Sequence, residues 1–299
     1  MRKICNRIAA LALVMALAVS FAACAVNEGP EQQGSGNYRK LVATSVSTCE
    51  VLEKLGVPSE QVVGIPKTTA YTIPNVYEDA TVVGSPMGPD MEVLKSLAPD
   101  LVLSPKSLKD SLETQYDEIG VKSFFLDLTS VDGMYSSIEE LGDMLGREEA
   151  AGKLVDEYHA FLKQYQKKHS DKEAPTVLIL MGLPGSYVVA TESSYAGSLV
   201  KLAGATNIYG DGDGESFLNI NPEDMLKKDP DIILRTSHAM PDQVKKMFAD
   251  EFKTNDIWQH FTAVKEDRVF DLSNEHFGMS ANFHYPEALE ELSPILYGD

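Results

Sequence analysis

One short pattern occurs in both halves of the chain. Glu92 lies seven residues before the run Pro-Asp-Leu-Val-Leu (99–103), and Glu223 lies seven residues before Pro-Asp-Ile-Ile-Leu (230–234). Each copy is typical of a short helix that leads into a buried strand, because a brief apolar run after a Pro-Asp turn signal favours a strand. Two copies of such a unit predict two similar α/β halves.

A second pair of matching segments supports this division. Residues 42–56 and 189–204 both begin with Val-Ala-Thr and end with Lys-Leu close to a glycine. Between the halves, residues 147–171 place apolar side chains at helical spacing, with acids early and Lys-Lys-His late, which suits a helix dipole. We therefore predict an α/β fold of two lobes, 40–146 and 172–299, each with a central sheet and its own core, joined by one long backbone helix.

The start of the chain predicts export and anchoring. Residues 1–23 have a basic beginning and an apolar stretch, which are typical of an export signal. The segment from Phe21 to Cys24 resembles a bacterial lipobox, in which the cysteine is acylated, although phenylalanine stands where leucine is usual. Residues 24–39 are polar and predict a tether. The expected location is the extracytoplasmic face of the cell membrane, with Cys24 carrying a lipid anchor.

The composition excludes several kinds of partner and site. The formal net charge is −19, and residues 1–23 contain no acid, so the remainder of the chain is more negative still. Such a charge repels nucleic acid and anionic lipid headgroups. Only Cys5, Cys24 and Cys49 are present, and Cys5 would leave with the export signal. A disulfide framework or a thiolate metal cluster is therefore excluded.

His238 and Met87 are the residues that most strongly suggest a binding site. His238 follows a strand-like apolar run and precedes a renewed helical pattern, so we expect it at the carboxyl end of a strand, where α/β sheets bind ligands. Met87 lies at the apex of the turn 84–89, where neither a helix nor a strand core explains it. A thioether and an imidazole from opposite lobes would suit a haem iron.

Longer segments of the chain carry a family resemblance; among them are GSPMGPDMEVLKSL (84–97), KLAGATNI (201–208), DPDIILRTSHAMP (229–241) and NDIWQHF (255–261). They resemble the haem-receptor lipoproteins of the iron-regulated surface determinant system, in the helical-backbone class of ABC-transporter substrate-binding proteins. The resemblance implies haem as the transported ligand, with Met87 and His238 as its axial ligands. It also implies that Glu92 and Glu223 dock on arginines of a permease dimer, with a separate ATPase and upstream haem-donor surface proteins as further partners.

Weaker expectations concern the walls of the haem pocket. The residues that we predict there are Ser45, Ser47, Thr48, Tyr187 and Tyr195. The first three are turn residues before the first helix, whose hydroxyl and backbone N–H groups could bind a propionate, and the tyrosines could form apolar walls. His276 and His284 fall outside the family pattern, and either could compete for the iron.

Other functions remain possible on the same fold. A receptor for a ferric siderophore or a corrinoid would not need a methionine and a histidine from opposite lobes. A free-metal receptor should show several converging His and carboxylate side chains, with no role for Met87. An enzyme would need an open iron position, which two axial ligands would fill. We therefore predict a non-enzymatic receptor that delivers haem to an ABC importer, with the siderophore or corrinoid receptor as the alternative.

Overall fold

The structure is a computed structural model that describes residues 38–69 and 71–298. The predicted export signal, Cys24 and most of the predicted tether lie outside the described residues. In chain order the strands are β1 (Leu41–Ala43), β2 (Val62–Ile65), β3 (Thr81–Val82), β4 (Gly84–Ser85), β5 (Gly88–Pro89), β6 (Leu101–Pro105), β7 (Ser123–Leu126), β8 (Thr176–Leu183), β9 (Ser186–Ala190), β10 (Thr206–Asn207), β11 (Phe217–Leu218), β12 (Ile232–Ser237) and β13 (Val269–Asp271). The helices are α1 (Val46–Lys54), α2 (Met91–Leu97), α3 (Lys109–Glu118), α4 (Val131–Leu145), α5 (Glu148–His169), α6 (Tyr195–Leu202), α7 (Pro222–Leu226), α8 (Pro241–Thr254), α9 (Thr262–Lys265) and α10 (Tyr285–Tyr297).

The first sheet consists of five parallel strands in the order β3-β2-β1-β6-β7. Its central strands β1 and β6 are buried at every residue, as expected for a parallel sheet that is covered on both faces. Helices α1 and α4 cover one face of this sheet, and α2 and α3 cover the other. All five strands point their carboxyl ends to the same edge.

The second sheet is mixed, with the order β11-β9-β8-β12-β13. Strands β8, β12 and β13 are parallel, and β10 adds a short parallel pairing at the start of β8. Strand β9 instead returns antiparallel to β8, and β11 is antiparallel to β9. The predicted α/β class is therefore confirmed, with a sheet in each half of the chain.

The repeated Pro-Asp pattern has the same structure in both sheets. Each copy is a short helix, α2 or α7, that leads into a buried strand, β6 or β12, as predicted. Asp100 accepts hydrogen bonds from the N–H groups of Arg39 and Lys40, at 2.7 and 2.9 Å, just before β1. Asp231 accepts hydrogen bonds from the N–H and hydroxyl of Thr176, at 2.7 and 2.6 Å, at the start of β8. In both sheets the aspartate therefore fixes the start of the neighbouring strand.

The inner faces of the two sheets share one hydrophobic core. It contains Leu41 and Leu103 from the first sheet, Ile179 and Leu234 from the second, and Tyr158 from α5. The outer faces have separate cores. The sequence predicted a separate core for each lobe. These strands are apolar at consecutive positions, whose side chains point to opposite faces, so both faces of each sheet must be covered.

The long helix α5 confirms the predicted element between the two sheets. It has 22 residues, with Glu148 and Glu149 in its first turn and Lys167, Lys168 and His169 in its last. At 1.5 Å per residue it extends about 33 Å. Its Tyr158 ring stacks on Tyr135 of α4, with 4.4 Å between ring centroids. Among the described residues, no helix combines the length and the apolar character needed to cross a membrane.

Candidate functional site

Loops at the carboxyl edges of the two sheets contact each other. The carbonyl of Leu128, which follows β7, accepts a hydrogen bond of 2.8 Å from the N–H of Ala281, in the segment after β13. The Tyr71 hydroxyl, in the segment after β2, lies 3.5 Å from the position that a Cβ atom would take at Gly278. These contacts join loops that follow strand ends in different sheets. Ligands of open α/β sheets bind at such edges, so the space between the edges is the candidate site.

Met87 lies at the tip of a tight hairpin that follows β3 of the first sheet. Strands β4 and β5 pair antiparallel and leave Pro86 and Met87 as the two-residue loop. Gly84 has a φ of 100°, which side chains rarely tolerate, and a Cβ atom there would lie 3.0 Å from the backbone nitrogen of Asp90. The hairpin base is also held by the Lys67 N–H, which donates to the Gly84 carbonyl at 2.7 Å. Met87 is 76% exposed, which confirms its predicted place at the apex of the turn.

His238 is the first residue after β12, as the sequence predicted. Its N–H donates to the carbonyl of Gly182 on β8, at 3.1 Å. The side-chain amide of Asn274 donates to the carbonyl of the preceding Ser237, at 3.3 Å. Both hydrogen bonds hold the one peptide group between Ser237 and His238, so the backbone is fixed at this point while the residue is exposed. Nearby protein atoms still exclude enough water to lower the pKa of His238. The neutral imidazole, which is the form that binds metal, is therefore favoured.

Large apolar side chains are exposed at the same edges. Tyr71 and Met87 belong to loops of the first sheet, and Met240 and Met279 belong to loops of the second; all four are more than a third exposed. Exposed apolar residues on both sides of a boundary indicate a binding surface for an apolar ligand or partner.

The amino end of α1 lies at the carboxyl end of β1 and includes three predicted pocket residues. The Ser45 hydroxyl accepts the Thr48 N–H at 3.2 Å, and the Thr48 hydroxyl accepts the Ser45 N–H at 3.0 Å, so the two form a capping box. Thr48 is fully buried, so its hydroxyl does not reach the surface of the site. Ser47 is partly exposed. Among these three residues, Ser47 therefore has the side chain best placed to bind an anion.

The structure brings neither predicted tyrosine to the exposed surface of the site. Tyr187 lies on β9 and packs on the outer face of the second sheet, against Phe248 and Trp258, with its hydroxyl donating to Glu251 at 3.3 Å. Tyr195 begins α6 and is 1% exposed in the shared core. Successive strand residues point to opposite faces, and the register of β9, with Tyr187 opposite Gly182, decides which face Tyr187 takes.

His276 and His284 lie close together in the segment before α10. Their ring centroids are 6.2 Å apart. The Nδ1 atom of His276 is 2.8 Å from Oε2 of Glu291, which also accepts the Ser273 N–H through Oε1. Within the described part of the chain, no group of three or more His, Cys, Asp or Glu side chains is arranged to hold a metal ion.

Glu92 and Glu223 occupy equivalent positions in the two halves. Asp90 caps α2 by accepting the Glu92 N–H at 3.0 Å, and Asn221 caps α7 by accepting the Asp224 N–H at 3.0 Å. Each glutamate is therefore the second residue of its helix, and both are exposed. A negative charge in a first turn stabilises the helix, so this position does not by itself require a partner.

The fold and this edge-facing site define a class of protein. Residues 41–275 match the family model described as periplasmic binding protein, and the chain belongs to that family. This confirms the predicted class of binding protein. A curated relative is the high-affinity heme uptake system protein IsdE of Staphylococcus aureus (strain Newman), which is 41% identical over 290 residues, or 97% of each chain.

Solved structures agree with this family. The chain superposes on an ABC transporter substrate-binding protein from Listeria monocytogenes EGD-e with a TM-score of 0.81 and 45% identity, covering 88% of this chain and 100% of the other. Against S. aureus IsdE complexed with heme, the TM-score is 0.80 and the identity 42%, with the same coverage. The periplasmic vitamin B12 binding protein BtuF of Vibrio cholerae, at 15% identity and a TM-score of 0.66, shares the fold.

Proposed function

We propose that this chain is the substrate-binding protein of an ABC importer and that its cargo is haem. The observation that carries the proposal is the 41% identity to IsdE over 97% of both chains. It is supported by the site itself, where Met87 and His238 lie on exposed loops at the two facing edges. The protein is a receptor that binds and releases haem without chemical change.

The two ligands would hold haem iron in different ways. The neutral imidazole of His238 is a strong ligand in either oxidation state of iron, whereas the thioether of Met87 favours the softer ferrous form. Both axial positions are then filled, which suits transport rather than catalysis. The exposed apolar residues at both edges suit the faces of a porphyrin. The N–H groups of the first turn of α1, together with Ser47, suit a propionate.

The same proposal covers location and partners. Cys24 carries a lipid anchor outside the cell membrane, and the intact mass of the mature protein would test this. Glu92 and Glu223 each dock on one subunit of a permease dimer, whose ATPase is a separate chain. Surface proteins upstream supply the haem. The lobes 40–146 and 172–299, joined by the helix at 147–171, are the units between which haem is held.

An absorption titration with hemin tests the cargo and its ligands. The native chain should bind hemin with a spectrum of histidine and methionine ligation. His238→Ala should lose most of its haem loading, because it removes the strong ligand. Met87→Ala should keep ferric haem but lower the reduction potential, because methionine ligation raises it.

His260→Ala is a matched control, since this exposed histidine lies on the outer face of the second sheet, next to Trp258, and should not affect loading. Normal haem binding by His238→Ala would reject the proposed ligation. A bis-histidine spectrum in the native chain would move the second ligand to His276 or His284. Binding of a ferric siderophore or a corrinoid in preference to hemin would favour the alternative receptor.

A further inference from the structure

Met240 has an unusual backbone conformation for its residue type. It is the N-cap of α8, with φ 51° and ψ 56°, and it makes no side-chain capping hydrogen bond. The left-handed region carries a steric cost for residues with a Cβ atom, and N-caps are normally Ser, Thr, Asp, Asn or Gly. Pro241 follows, which further restricts the residue before it. The position therefore disfavours methionine on two independent grounds.

The other non-glycine residues with positive φ fit their positions better. In the described part of the chain they are Ala98, Asp213, Asp229 and Asp267. Aspartate tolerates this region because its short polar side chain bonds locally, and alanine is small. Met240 alone in this set has a long apolar side chain.

The folded protein gains little burial from this methionine. Met240 is 58% exposed, so its cost is not offset by packing in a core. Costly backbone conformations cluster at active sites and at sites that hold ligands. The residue lies two positions after His238, and the Ser237–His238 peptide group at the start of this loop is held by Gly182 and Asn274. The side chain is thus held at the same carboxyl edge as the proposed imidazole ligand.

We infer that Met240 contacts the bound porphyrin and slows its release from the site. This inference rests on the proposed function and goes beyond the two axial ligands. Met240 and His238 share one short loop, so Met240 cannot take the axial position opposite His238, which a residue of the other sheet must supply. A flexible, polarizable thioether instead makes favourable contacts with aromatic rings, which a porphyrin offers at its face and edge.

Haem release tests the inference. Haem-loaded native protein and variants are mixed with excess apomyoglobin, and the rate of haem loss is followed by absorption. Met240→Gly and Met240→Asn both suit the left-handed conformation but remove the apolar contact, so we expect release to become about five- to tenfold faster. The ferric spectrum should stay unchanged, because the axial ligands remain. Met240→Leu keeps apolar volume but lacks the thioether, so its release rate should lie between those of the native protein and Met240→Asn.

Ala98→Gly is the matched control. It relieves a positive φ at the end of α2, away from the loops of the site, so it should raise thermal stability without changing haem release. Native release rates in Met240→Gly and Met240→Asn, with the spectrum intact, would overturn the inference. Faster release in Met240→Leu, equal to that in Met240→Asn, would also overturn it. Failure of the proposed function is a separate result, namely that the native chain does not bind hemin.

Discussion

The imidazole of His238 is exposed, yet protein atoms around the loop lower its pKa from the ordinary value of 6.5. A protonated imidazole cannot coordinate iron, because its lone pair is occupied. Lowering the pKa therefore widens the pH range in which the ligand is ready to bind. For a receptor of an uptake system, this environment would keep haem capture possible under mild acidity.

At the residue scale we expect haem loading to persist as the pH falls through 6.5. Loading should decline only below the lowered pKa of His238, because only then does the protonated form dominate. Hemin titrations at successive pH values would measure this. The remaining binding in His238→Ala should lack the transition. A native transition centred at or above 6.5 would contradict the expectation.

Single residues differ in how far the sequence reveals them. The positions of Met87 and His238 could be predicted because local sequence signals determine them. Met87 lies in a turn rich in glycine and proline, and His238 directly follows the strand that comes after a Pro-Asp pair. The burial of Thr48 and the direction of Tyr187 could not be predicted, because capping geometry and strand register decide them. The φ of Met240 has no sequence signal either, since a methionine before proline gives no reason to expect the left-handed region.

At the scale of elements, the two Pro-Asp units are the clearest case of one sequence pattern that gives one structure. The Val-Ala-Thr pair is different. It ends the parallel central strand β1 in one sheet and the antiparallel strand β9 in the other, although a serine caps the helix that follows each. The helix caps, Ser45 and Ser194, are determined by local residues. The direction of each strand instead depends on pairing with strands that are far away in the chain. The sequence therefore predicted the strand-turn-helix unit but not its orientation.

We expect Asp100→Ala and Asp231→Ala to destabilise the fold to a similar extent. Each removes an acceptor for two hydrogen bonds at a strand start, and each carboxylate is exposed, so the loss should be about 1 kcal/mol. Thermal unfolding should show a decrease of about 2–4 °C per substitution. Asp250→Ala is the control, because this exposed aspartate lies within α8 and fixes no strand. Equal effects of all three substitutions would contradict the role of Asp100 and Asp231 in fixing the strand starts.

The stability contributed by these aspartate hydrogen bonds should also depend on pH in a defined direction. The accepted hydrogen bonds lower the pKa of Asp100 and of Asp231 from 3.8. The stability that they contribute is therefore full above pH 3.8 and is lost as the pH falls through the lowered values. The difference in stability between native protein and the double Asp100→Ala, Asp231→Ala variant should shrink across that acidic range.

At the scale of the whole molecule, the shared core joins the sheets through their inner faces and α5, while the loops at their facing edges stay exposed. Rigid packing between the sheets holds the two equivalent helices α2 and α7 in a fixed relation to each other. Their glutamates, Glu92 and Glu223, are thus two exposed negative charges with matched local geometry. A permease dimer with two equivalent basic sites would recognise such a pair.

We therefore expect Glu92→Ala with Glu223→Ala to abolish haem uptake by cells while leaving hemin binding unchanged. The glutamates belong to helices whose caps remain intact, so the fold should tolerate the change. Uptake is measured as growth on haem as the iron source, and binding as a hemin titration of the purified double variant.

The control is Glu118→Ala with Glu266→Ala, which removes two exposed charges from non-equivalent positions and should leave uptake normal. Each single glutamate variant should lose uptake only in part, because one of the two proposed docking charges remains. Normal uptake by the Glu92→Ala, Glu223→Ala variant would show that these charges serve only to stabilise their helices.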